Sequence, residues 1–396
     1  MVLNLCYLDH AATTPMRAEA VAAMEPYLKN RFGNPSGAHA MAREARRALD
    51  AAREMVAQAL GAQPGEVVFT GGGSEADNLA IAGVVAARPG GAVCTAIEHH
   101  AVLHSCRAFE GAVVAVTSSG VVDLDRLAET LDPSVSLVSV MLANNEIGTV
   151  QPLADVADLV HQFAPEAVLH TDAVAAFTWL DVARLAAPAD LVAVSAHKFG
   201  GPKGVGALVV RSGTKLAPLI HGGGQEWGRR SGTHNVAGIV AMAAAVEAAV
   251  AERGATVVRV SAERDRLVDG LLSGVTGSQE NGDRAIKIAG NAHLSFEGIE
   301  SEALLVLLDE AGICASAGSA CASGAVEPSH VMAALGVSRD RARGALRLTL
   351  GSTTTTADID HALQAIPAAV ARLRAFSPGR APAAVPIGLN PSSATV

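Results

Sequence analysis

The sequence predicts an α/β fold: a large domain built on a mostly parallel sheet, followed by a smaller α+β domain. Three observations carry that expectation. From about Glu66 to Val210 short apolar runs alternate with longer amphipathic ones. The apolar runs are continuous rather than alternating, as in strands covered on both faces. After Gly213 the pattern changes, and a glycine-rich stretch leads into an alanine-rich one. The chain has 396 residues, half of them hydrophobic, which is more than one core usually holds. Aromatic residues are only 3%, so Ala, Val and Leu must fill the interior.

Taken in order, "EVVFT", "AVCTAI", "SLVSVML", "AVLHTD", "DLVAVSA" and "GALVV" read as strands, and "EADNLAIAGVVAA" and "DLDRLAET" between them as helices. The stretch "HGGGQEWGRRSGTHN" precedes a predicted helix from about Val236 to Arg253. Beyond it "AHLSFEG" and "ALRLTLG" read as strands with alternating patterning, and "SEALLVLLDEAG" as a helix. These readings divide the chain into a large domain, 16–255, and a small domain, 256–376. The stretch 377–396, rich in Pro, Ala and Ser, is expected to be a mobile tail.

A net charge of −9 without blocks of like charge argues against nucleic acid or an anionic membrane as partner. The five cysteines, Cys6, Cys94, Cys106, Cys314 and Cys321, are scattered and never form a C-x-x-C pair. Neither a disulfide framework nor a metal site is expected, and a reducing, cytoplasmic setting fits. No basic stretch followed by a long apolar run opens the chain, and no uninterrupted run of about 18 apolar residues occurs, so neither a leader nor a membrane span is expected.

Three strand ends attract attention. In "FTGGGSEADNLA" an apolar run meets three glycines and Ser74 before a helix, a setting in which the N–H groups of Gly72, Gly73 and Ser74 can cradle a phosphate. An ordinary turn with Ser74 as helix cap is the alternative. In "HTDAVAAF" Asp172 ends a strand and faces the crevice where such sheets bind ligands, unless it merely caps the next helix. In "DLVAVSAHKFGGPKG" Lys198 follows a third strand, and glycines after it leave room for a ring. A lysine amine withdrawn from water loses its proton more readily and condenses with an aldehyde. A solvated loop lysine describes Lys203 well and Lys198 poorly. Cradle, acid and lysine, in that chain order, fit pyridoxal 5'-phosphate better than any other common cofactor.

The stretches "YLDHAATTP", "FGNPSGAH", "GGGSEADNLA", "EHHAVL", "ANNEIGTVQP", "SAHKFGGPKGVGAL", "HGGGQEWGRRSGT", "SAGSACASGAVEPSH" and "LRLTLG" occur in this order from about Tyr7 to Arg374. Together they resemble the cysteine desulfurases of the NifS/IscS type, a class V aminotransferase-like branch of the fold-type I pyridoxal phosphate enzymes. The resemblance implies a seven-stranded sheet in the large domain, with residues 1–15 joining the small one. It implies that Lys198 holds the cofactor, that Asp172 pairs with the pyridine nitrogen, and that His99 stacks on the ring and assists proton transfer. Asn145 would contact the ring hydroxyl, and Gly73, Ser74, Ser195 and His197 the phosphate. Thr233 would reach the phosphate of the other subunit, making a homodimer. Asn34 and Arg347 would grip the carboxylate of L-cysteine, and Cys321 would take its sulfur as a persulfide for acceptor proteins such as an Fe–S scaffold or a tRNA thiolation enzyme.

The run around Cys321 is almost entirely small residues, as a moving carrier of sulfur requires. The other four cysteines read as buried small hydrophobes, and His39, His221 and His234 as structural or rim residues. Two positions depart from the family pattern: Ala175 stands where a glutamine is expected, and Ala196 adds a methyl where glycine is usual, beside the expected phosphate. A selenocysteine lyase or another β-eliminating relative is the alternative activity. A weakly active or non-catalytic partner of the same fold is a second alternative, supported only by Ala175.

Overall fold

The computed structural model describes residues 5–318 and 329–376, so Cys321 and the stretch 377–396 lie outside the described residues. The strands run β1 (Cys6–Tyr7), β2 (Val67–Thr70), β3 (Gly91–Thr95), β4 (Ala112–Val114), β5 (Val135–Ser139), β6 (Val168–Asp172), β7 (Leu191–Ser195), β8 (Gly206–Val210), β9 (Ser278–Glu280), β10 (Asn291–Phe296), β11 (Ile313–Cys314) and β12 (Ala345–Thr349). The α-helices are α1 (Ala18–Lys29), α2 (Ala40–Ala59), α3 (Gly73–Ala87), α4 (His100–Ala108), α5 (Leu124–Thr130), α6 (Leu153–Phe163), α7 (Val182–Leu185), α8 (Val236–Gly274), α9 (Ser301–Glu310), α10 (His330–Ala334), α11 (Arg339–Ala342) and α12 (Thr356–Ala375). None of them is long and apolar enough to cross a membrane.

Seven strands form the main sheet in the order β2-β8-β7-β6-β5-β3-β4. Pairing is parallel from β4 to β7, and only β8 runs antiparallel to its neighbours. The continuous apolar strands follow from this layout, because helices cover both faces: Val192 and Val194 pack into one apolar layer, Leu191 and Ala193 into the other. Each such valine or leucine contributes roughly 1.5–3 kcal/mol by leaving water. The edge strand β4 is not among the strands read from the sequence; it is only three residues long, and two of them are exposed.

The second domain centres on a three-stranded antiparallel sheet, β12-β10-β9. Its β10 and β12 are buried along their whole length rather than on alternate residues. The alternation expected of them is therefore not realised, because polar residues such as His293 and Arg347 are themselves enclosed. The chain start belongs to this lobe: β1 pairs in parallel with β11, and Asp9 bridges to Thr349.

Helix α8 joins the two lobes and corrects the expected end at Arg253. Its 39 residues extend about 58 Å at 1.5 Å per residue. The half from Val236 to Ala249 is buried in the large-domain core, and Val260, Leu267, Val268 and Leu271 enter the small-domain core. The residues between are mainly exposed and include Gly254, which makes the middle read as a helix end. Anchorage at both ends outweighs that local cost of about 1 kcal/mol. The division expected near residue 255 thus falls inside one continuous helix.

Candidate active site

The carboxyl ends of β6 and β7 lie side by side, with Asp172 paired to Ala193, and above them opens a cleft of about 330 Å³. Its wall brings together Gly73, Ser74, His99, Asn145, Asp172, Ser195, His197, Lys198 and Arg347. These residues come from both lobes and from stretches far apart in the chain. Asn34 is not among them: it is exposed ahead of α2, where its Oδ1 accepts from the Ser36 N–H. Thr233 is also exposed and outside the cleft of its own chain. His39 caps α2, and His234 binds Glu226 away from the cleft.

The glycine run at the start of α3 builds a narrow cradle. The cap position is Gly72, at φ 148°, and Ser74 lies within the first turn, so the alternative of Ser74 as cap is overturned. No side chain caps this 15-residue helix, which leaves its first N–H groups directed at the cleft end. A Cβ on Gly73 would come within 2.9 Å of Val174 Cγ2, so a larger residue there would narrow the cradle. His197 stands beside it, its Nδ1 3.1 Å from Thr13 Oγ1, and burial lowers its pKa to about 4, leaving it neutral. The extra methyl of Ala196 does not reach this cradle. It is fully buried, in the place a Cβ on Gly201 would meet at 2.8 Å.

Lys198 Nζ donates to the carbonyl oxygens of Ala11 and Ala12, the latter at 3.0 Å, which ties the catalytic-side lysine to the N-terminal segment. Asp172 Oδ1 accepts from the Val174 N–H at 2.8 Å. His99 Nδ1 accepts from the Ala101 N–H at 3.2 Å, so the neutral ring carries its hydrogen on Nε2. Burial lowers the pKa of His99, against the pull of Asp172. The Arg347 guanidinium is buried, pairs with Asp9 Oδ1 at 2.9 Å, and reaches the Gly318 carbonyl at 3.3 Å. Its Nε has no hydrogen-bond partner among the described residues, so one donor is left for a ligand. Ala175 lines both this cleft and a second cavity of about 300 Å³ that shares Ala11, Asn145 and Lys198 with it.

Sequence reasoning missed a set of polar groups at the cleft: Asp77, Glu146 and the half-buried His100 and His330 on its wall, and the buried Glu98 and His170 beneath it. Asp77 did leave a signal, since it falls on the same face of α3 as Ala80, Ile81 and Val84, a carboxyl group inside an apolar stripe. The others left none that period or spacing reveals. Burial, then the charges of Asp172 and Glu98, push the Asp77 carboxyl well above the usual range, and burial does the same to Glu98. Burial raises Asp172 also, but His99, the Val174 N–H and Lys198 hold it down. Three neighbouring carboxyl groups cannot all ionise in so little water. Of the three, Asp172 is the one whose rise is opposed by His99, the Val174 N–H and Lys198 together.

The sequence model for class-V aminotransferases matches residues 6–362. The chain belongs to the class-V aminotransferase family. Among its relatives, an IscS-like cysteine desulfurase of Mycobacterium tuberculosis is 46% identical, over 93% of this chain and 97% of its own length. The cysteine desulfurase IscS of Dictyoglomus turgidum is 42% identical, over 94% and 96%. Of solved structures, a NifS-like protein superposes with a TM-score of 0.87 at 36% identity, covering 93% of this chain and all of its own. A structure described as SspA in complex with cysteine gives 0.75 at 33%, covering 88% and 99%.

Class-V enzymes of this kind depend on pyridoxal 5'-phosphate, and the cleft fits it. The uncapped α3 terminus suits the phosphate, the buried Asp172 a protonated ring nitrogen, and Lys198 Nζ at the wall is the amine that would hold the aldehyde carbon. When bound, the cofactor supplies an electron sink for bonds broken at the α-carbon of an amino acid. The chain supplies the rest. Arg347, whose fork is held by Asp9 Oδ1, would bind a carboxylate, His99 Nε2–H would present a proton to the cleft, and the apolar cluster of Ile97, Met141 and Ile147 would help exclude water.

Proposed function

We propose that this chain is a pyridoxal-phosphate-dependent cysteine desulfurase, converting L-cysteine to L-alanine and passing the sulfur to its own Cys321. The observation that carries this reading is the convergence of Lys198, Asp172, His99 and Arg347 on one cleft, in a chain 42–46% identical to proteins named cysteine desulfurase. The sulfur step has its own support. Gly318, three residues before Cys321 in the chain, lines that cleft, and Ser329, which follows the undescribed stretch, bonds the cleft residue Glu146 at 2.6 Å. Arg347 is the carboxylate anchor; Asn34, exposed and engaged locally, is a weaker candidate.

The protein works as a homodimer, with Thr233 placed on the surface to meet the partner's phosphate cradle, and it feeds Fe–S assembly or tRNA thiolation in the cytoplasm. The test is direct. The purified holoenzyme should be yellow, lose that colour on borohydride treatment through Lys198, and release L-alanine from L-cysteine. Cys321→Ala should keep the colour and lose persulfide formation. Persulfide persisting in that variant, or a wild type without the visible band, would refute the assignment. Sedimentation tests the dimer, and capture of proteins by the persulfidated enzyme identifies the acceptor.

A further inference from the structure

The cleft wall carries two imidazoles that the reading above does not use, His100 and His330. His330 opens α10, and its Nε2 lies 3.0 Å from the carbonyl oxygen of Glu98. A carbonyl oxygen only accepts, so Nε2 carries the hydrogen and, in the neutral ring, Nδ1 keeps a bare lone pair. That Nδ1 is buried without a hydrogen-bond partner among the described residues, although His330 lines the same cleft as Lys198 and Arg347. A buried acceptor left unpaired is costly unless a ligand brings the missing donor.

The surroundings suit a group that takes up a proton briefly. The His330 ring packs on His100 with centroids 4.6 Å apart, and His100 stacks on the exposed His104 at 4.9 Å. The ionisable groups facing this cluster are His99 and Glu98 just before α4, His100 and His104 on it, Glu146 from the loop after β5, and Arg347 from β12. Burial, then like charge on His330, His104 and His99, lowers the pKa of the neighbouring His100. Glu146 accepts a hydrogen bond from Ser329, one residue before His330, and burial raises its pKa against the pull of Ser329, His330 and Arg347.

We propose that His330 Nδ1 accepts the proton of the L-cysteine thiol in the cleft. The S–H bond breaks with its electron pair left on sulfur as a thiolate, and an N–H bond forms at Nδ1. The resulting imidazolium donates to the Glu98 carbonyl from one nitrogen and to the sulfur from the other. This rests on the desulfurase reading and adds a residue to it.

The test is His330→Gln, whose amide keeps a donor for the Glu98 carbonyl but is no base; His330→Asn serves as a second variant. A thiol of ordinary pKa near 8.5 is only about 3% ionised at pH 7. The variant's kcat/KM for L-cysteine should therefore fall about 30-fold at pH 7 and lie within about 2-fold of wild type at pH 9.5, where the thiol ionises unaided. A loss of the same size at every pH, or none at pH 7, overturns the proposal. Binding of amino acids to the Cys321→Ala holoenzyme, followed by its visible absorbance, gives a readout without turnover. Adding His330→Gln should weaken L-cysteine at pH 7 but not at pH 9.5, and leave L-alanine unaffected. Equal L-cysteine binding at pH 7 overturns the assignment of His330 even were the desulfurase reading correct. A wild type that binds L-cysteine but releases no L-alanine overturns the desulfurase reading instead.

Discussion

Two buried polar clusters in the large domain treat charge in opposite ways. At the end of β2, Arg53 grips both oxygens of Glu226 at 2.6 and 2.7 Å, the Phe69 N–H adds a bond at 3.0 Å, and His234 another at 2.7 Å. The guanidinium lies between the Phe69 and Trp227 rings, 4.6 and 4.7 Å from their centroids. Under the cleft, Asp77 Oδ1, Glu98 Oε2 and His170 Nε2 have no hydrogen-bond partner among the described residues. Burial opposes charge in both places. Where hydrogen bonds complete the shell, the ion survives and stabilises; where they do not, the group surrenders its charge and its proton becomes available for chemistry.

The largest expected effect breaks the first cluster. Arg53→Ala strands the Glu226 carboxylate, and unpairing a buried ion costs about 3–5 kcal/mol, read as a lower urea midpoint. The network also holds Glu226 and Trp227 at φ 49° and 56°, backbone strain worth roughly 1–3 kcal/mol at each residue. Replacing both partners, Arg53→Met with Glu226→Met, should recover most of the loss, because no orphan charge remains. Burial would raise the Glu226 pKa, but the bonds from Arg53 and His234 hold it at about 2, against 4.5 unperturbed. Its contribution is therefore present above pH 4.5 and lost only as pH falls through about 2. Wild type at pH 4 should keep this cluster intact.

A middle-sized effect lies under the cleft. Burial lowers the pKa of His170 to about 3 from 6.5. Between those values the unfolded chain binds a proton that the folded one refuses, so stability rises with pH through this window and falls on acidification. The cost between pH 7 and pH 5 is about 2 kcal/mol for this one ring. In His170→Gln the difference in unfolding free energy between those two pH values should shrink by about that amount. An unchanged difference would mean the ring is protonated in the fold, and the contrast between the clusters would lose its basis.

The contrast also explains what could be read from the chain. Asp172 and Lys198 were legible because each ends a continuous apolar run, and strand ends in such sheets face the crevice. The strands that end in Asp172 and Ser195 were found within one residue for the same reason, whereas "SLVSVML" overran β5 by three residues. The full length of α8 was not legible, because Gly254 and a polar middle imitate a terminus and only anchorage in two cores overrides them. Glu98, His170 and His330 were not legible either. Each is an ordinary polar residue until four or five remote stretches close over it, and enclosure by distant segments leaves no trace in local pattern.

The smallest effect tests the cleft floor from the side of the acids. Glu98 is fully buried, its Oε1 accepts from Thr95 Oγ1 and the Met141 N–H, both at 2.8 Å, and burial raises its pKa well above 4.5. Here the sign reverses relative to His170. The folded chain keeps a proton that the unfolded chain has lost, so the stability from this group is complete below pH 4.5 and is lost as pH rises through its elevated folded value. Glu98→Gln keeps the accepting oxygen and removes the titration. At pH 8 the variant should gain stability relative to its standing at pH 5, visible as an upward shift in melting temperature that disappears on acidification. A variant destabilised equally at both pH values would place the carboxylate in the charged, satisfied class of Glu226, and the division between a stabilising cluster and a proton-holding one would have to be redrawn at this residue.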